Sequence, residues 1–129
     1  MKRSLAFGMF PGFFSADASS GHYFSRRDLY DRDRPLFKKY VPLIKRVAEA
    51  GWQPVTLARA SEPKIHVERF GQHYLTVFND GAESRTVTIT LHGLNAVTAT
   101  ELITGKTVSF QGNRATLTLA GEDVALLEF

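Results

Sequence analysis

The chain has 129 residues, enough for one domain with a sizeable core. It has no cysteine, which excludes disulfides and thiolate metal sites and leaves the redox compartment undecided. Its net charge of +3 is dispersed among acidic residues, as in "RRDLYDRDR", so no nucleic-acid patch is expected. No apolar run approaches the ~20 residues of a membrane-spanning helix.

The first element is the apolar run "LAFGMFPGFF" (5–14), followed by the small polar loop "SADASSGHYFS" (15–25). Lys2 and Arg3 before it and Ala16-Asp17-Ala18 after it mimic a secretory signal. Gly8, Pro11 and Gly12 weaken the helical centre that such a signal needs.

"DRDRPLFKKYVPLIKRVAEAGW" (31–52) predicts an amphipathic helix. Asp33 is placed to cap its start and Pro35 to sit in its first turn. Phe37, Tyr40, Val41, Ile44, Val47 and Ala48 form one apolar stripe, and Gly51 stands where a left-handed cap is wanted. Pro42 lacks a backbone donor, which predicts a kink or a break there.

From Trp52 onward the pattern is β. "QPVTLAR" (53–59) reads as an entering strand, and Gly71-Gln72 joins "KIHVERF" (64–70) to "HYLTVFN" (73–79) as a hairpin. In "RTVTITLH" (85–92), Val87, Ile89 and Leu91 alternate with Thr86, Thr88 and Thr90. "VTATELIT" (97–104), "TVSF" (107–110), "RATLTLA" (114–120) and "DVALLEF" (123–129) follow, punctuated by glycines. The expected fold is mainly β: an antiparallel β-sandwich of seven or eight strands preceded by one apolar strand with its loop and one amphipathic helix. Val77, Ile89, Leu91, Leu117, Leu119 and Leu126 are expected between the sheets. The chain divides into residues 1–52 and a sandwich of residues 53–129.

Few motifs carry chemistry. There is no G-x-S-x-G, no phosphate-binding loop, no H-E-x-x-H and no dinucleotide-binding glycine pattern. His22, His66, His73 and His92 lack metal-ligand spacing, so neither metal nor cofactor is expected. Asn79-Asp80-Gly81 and Thr104-Gly105-Lys106 read as turns. Trp52 is expected to pack where the helix meets the strands. Tyr74 and Phe110 are the main strand aromatics that a ligand-binding sandwich face would use.

The order "LAFGMFPGFF", loop, "LFKKYVPLIKRVAEAGWQPV", "VERFGQHYLTVFND", "ELITGKTV" and "EDVALLEF" resembles the C-terminal end of a TIM-barrel glycoside hydrolase. The resemblance implies that residues 4–10 are the eighth barrel strand and 11–25 the loop after it. It further implies that the helix near 35–50 is the eighth barrel helix and 53–129 an accessory sandwich. A strand of that kind is buried on both faces and reads as a continuous apolar run. The loop after it lies at the catalytic mouth. Substrate contact would then fall to Phe13, Phe14 and Tyr23 as stacking faces and to Asp17 and His22 as polar tips. The plainer reading of these five is core aromatics and a polar surface loop. Glycoside hydrolysis needs two carboxyl groups flanking the bond, and the loop offers Asp17 alone. The chain is therefore expected to be a non-catalytic portion of a carbohydrate-active enzyme. Its partners would be an oligosaccharide or polysaccharide, and either the missing barrel or a second copy through 1–52. The alternatives are a stand-alone carbohydrate-binding module and a self-association domain.

Overall fold

The apolar opening forms a short helix rather than the expected strand. In the computed structural model, which describes residues 1–12 and 26–129, α1 spans Lys2–Ala6. A parallel strand needs a hydrogen-bonding neighbour along each edge. Among the described residues none pairs with it, and the segment closes its bonds locally, Leu5 donating to Met1 O and Phe7 to Arg3 O. Gly8 then turns at φ +63, and a Cβ there would lie 2.5 Å from the Phe70 ring.

The long helix α2 spans Arg27–Ala50 and starts earlier than Asp33. Its N-cap is Arg26, and both Pro35 and Pro42 lie inside it. Pro42 does not break the helix. One lost donor is offset by the burial of Tyr40, Ile44 and Val47 on either side of it. Gly51 ends the helix at a positive φ of 81, which favours glycine, but its ψ of 129 is not that of the expected left-handed cap.

The strands are β1 (Trp52–Gln53), β2 (Ala58–Ala60), β3 (Ile65–Phe70), β4 (Tyr74–Asn79), β5 (Arg85–Leu91), β6 (Thr98–Glu101), β7 (Lys106–Ser109), β8 (Arg114–Leu119) and β9 (Val124–Glu128). They form a six-stranded sheet of order β1-β3-β4-β9-β6-β7 and a three-stranded sheet of order β2-β5-β8. Every pairing is antiparallel. The expected entering strand 53–59 is thus split. β1 joins the larger sheet and β2 the smaller, with Leu57 at φ 55 in the crossing between them.

The larger sheet is covered on both faces. Leu75, Val77, Ala125 and Leu127 meet Val87, Ile89, Leu91 and Leu119 of the smaller sheet. Phe70, Phe78, Val124 and Leu126 meet Leu5, Tyr40, Ile44 and Val47 of the helices. This explains why β4 and β9 are nearly all apolar while β5 alternates: the central strands have no wet face. Leu126 is buried as expected, but under the helices rather than between the sheets, and Leu117 is only partly buried.

Polar side chains tie the layers together. Thr76, inside the larger sheet, donates from Oγ1 to Ala6 O at 2.6 Å and anchors α1. Buried Asn79 donates from Nδ2 to Glu83 O and Ala120 O, and its Oδ1 accepts from Gly81 N–H. The "ND" turn therefore joins the end of β4 to the chain just after β8.

Candidate functional site

Phe13, Phe14, Asp17, His22 and Tyr23, the residues expected to touch substrate, lie outside the described residues. Described residues near them in the chain and along α2 expose large apolar side chains. Met9 is 58% exposed, Phe10 60% and Leu36 49%. With Pro11 and Phe37 they line an open cleft of about 510 Å³ between the α1 turn and the first half of α2. Arg3 and Asp33 stand among its lining residues. The cause is the length of α2. Its C-terminal half rests on the sheet through Tyr40, Ile44 and Val47, whereas Leu36, earlier in the helix, remains exposed.

A set of charged and aromatic contacts holds α1 on the sheet beside this cleft. Arg3 hydrogen-bonds Asp80, and its guanidinium lies 5.5 Å from the Phe78 ring centre. His66 Nε2 is 3.5 Å from the second oxygen of Asp80. The Phe7 ring meets Phe78 and His66 edge-on at 6.2 and 6.0 Å. Lys2 Nζ lies 2.9 Å from Asp123, and that hydrogen bond raises the lysine above its ordinary value despite partial burial. Burial raises the Tyr40 phenol as well.

Trp52 does not pack into the junction as expected. It is 57% exposed, because β1 is an edge strand and α2 has already ended. Its indole N–H donates to Glu68 Oε2 at 2.7 Å, which sets the ring's orientation. Phe110 is buried against Phe129, with ring centres 5.8 Å apart, and offers no external platform.

The carboxylates near these features are already engaged. Asp33 in the cleft accepts from Arg32 at 2.7 and 2.8 Å, and Asp80, Asp123 and Glu68 have the partners named above. Glu101 is buried and accepts from the N–H groups of Ile103, Thr104 and Leu126 and from the Thr104 hydroxyl. It braces the "TGK" hairpin, a role that its place in "ELITGK" did not signal. Among the described residues no group of three or more His, Asp or Glu side chains is placed to hold a metal. No helix among them is long and apolar enough to cross a membrane.

No family model matches the sequence, and no curated protein matches it. Solved structures with a similar arrangement include a GH42 beta-galactosidase, at 16% identity and TM-score 0.37, over 80% of this chain and 12% of that one. A catalytic mutant of such an enzyme from G. stearothermophilus gives 17% identity and TM-score 0.38, over 79% and 12%. An Anoxybacillus alpha-amylase gives 13% identity and TM-score 0.46, over 83% and 23%. All three are glycoside hydrolases, and the chain spans less than a quarter of the length of each.

Proposed function

We propose that this chain is the non-catalytic C-terminal portion of a carbohydrate-active enzyme of the glycoside hydrolase type. Residues 53–129 are its accessory sandwich. Residues 1–52 are the segment that docks against the catalytic barrel. The supporting observation is the open, largely apolar cleft at Met9, Phe10, Pro11 and Leu36, where Met9, Phe10 and Leu36 are exposed. Exposed apolar surface of this kind marks a contact with another part of a protein or with another chain. Glycoside hydrolysis needs two carboxyl groups flanking the bond, and in this reading the barrel supplies them.

The reading frame upstream of the Met1 codon tests this. Translation into a barrel with paired carboxylates at its strand ends supports the proposal. A stop codon immediately upstream overturns it and assigns the apolar cleft to self-association, which sedimentation of the chain would register as a dimer.

A further inference from the structure

The smaller sheet has a second, different surface on the side of the molecule opposite the helices. One face of β5 is buried through Val87, Ile89 and Leu91, and its threonines point outward. The register sets Thr86 opposite Thr118 and Thr88 opposite Thr116. The next row is Arg59, Thr90 and Arg114, so a guanidinium stands on each side of one threonine. Strand spacing separates the two arginine backbones by about 10 Å.

Charge on this face is one-sided. None of residues 58–60, 85–91 and 114–119 is Asp or Glu. Arg85 reaches Glu62 at its own end of the sheet. Arg59 and Arg114 are exposed and carry no ion pair among the described residues. An open cleft of about 460 Å³ lies beside Arg114, lined by Thr88, Thr116, Ser109 and Gln111.

The chemistry selects among partners. No large apolar side chain stands on the face, which disfavours a hydrophobic protein partner. No aromatic ring is there to stack a base, and two free cations make a weak phosphate track. Hydroxyl and amide groups that both donate and accept match a chain of sugar hydroxyls. Guanidinium groups match carboxylates, which they bind through paired hydrogen bonds.

We propose that this face binds an acidic polysaccharide, with Arg59 and Arg114 holding uronate carboxylates and the threonine rows contacting hydroxyls. The proposal rests on the carbohydrate reading above and not on the barrel contact, since the face and the apolar cleft lie on opposite sides. Binding to the full chain is measured by calorimetry with polygalacturonate, its methyl ester, a neutral galactan and single-stranded DNA. Polygalacturonate is expected to bind and its methyl ester not to. Arg59→Ala and Arg114→Ala are each expected to weaken binding about tenfold, with the melting temperature unchanged. Equal binding of the ester, or undiminished, wild-type affinity in both variants, overturns the proposal. So does DNA binding as tight as polygalacturonate, or no binding at all. Binding of neutral galactan alone overturns the acidic ligand but leaves the accessory-domain reading standing. That reading fails separately, on the upstream frame.

Discussion

Glu101 shows how one buried residue decides a local structure. Its carboxylate oxygens satisfy backbone donors on the hairpin it precedes and on β9. Glu101→Ala leaves those donors buried without partners, and the expected loss is about 3 kcal/mol in urea unfolding. A loss under about 0.5 kcal/mol would show that water replaces the carboxylate. Lys2, Tyr40 and Tyr74 set the behaviour in alkali. A hydrogen bond to Asp123 raises Lys2 above 10.5, and burial raises both tyrosines above 10.0, with Glu128 adding to the shift at Tyr74. In each case the folded state holds the proton more tightly than the unfolded chain. The stabilisation is complete below the unfolded values and is lost as pH rises through the folded ones. The urea midpoint is therefore expected to fall above about pH 10. Lys2→Met should make that fall shallower, and an unchanged slope would remove Lys2 from the account.

The long helix shows tertiary contact overriding local preference. Asp33 and Pro35 predict a late start, and Pro42 predicts a kink or a break; the helix starts earlier, at Arg27, and runs unbroken through Pro42. The apolar stripe was legible because Tyr40, Ile44 and Val47 recur at helical spacing. The start was not, because no side-chain cap marks it. Pro42→Ala restores a backbone donor, and the expected gain is about 2 kcal/mol after the added freedom of the unfolded chain is subtracted. A loss of stability in the thermal melt would mean that the proline ring makes a packing contact worth more than the donor. The opening segment shows the reverse case. Its apolar run was legible, but its conformation depends on whether strands are available to pair with it.

At the scale of the molecule, one sheet joins two apolar clusters. Phe78 and Leu126 face the helices, whereas Val77 and Leu127, beside them in sequence, face the smaller sheet. Helices and sandwich should therefore unfold together. Ile44→Ala is expected to cost about 3 kcal/mol and to shift the whole transition. The lone tryptophan, Trp52, and far-UV circular dichroism should report the same midpoint, and separated midpoints would show that residues 1–52 unfold alone. The sequence by itself determined the strand positions from Ile65 onward, the turns between them and the apolar stripe of α2. Each follows from alternation, turn chemistry or helical spacing over a few neighbouring residues. Only the tertiary structure decided the split of 53–59 between two sheets, the side on which Leu126 is buried, the exposure of Trp52 and the row Arg59–Thr90–Arg114. These depend on which strands pair and which layer covers each face, and such contacts join residues far apart in the chain, beyond the reach of local periodicity.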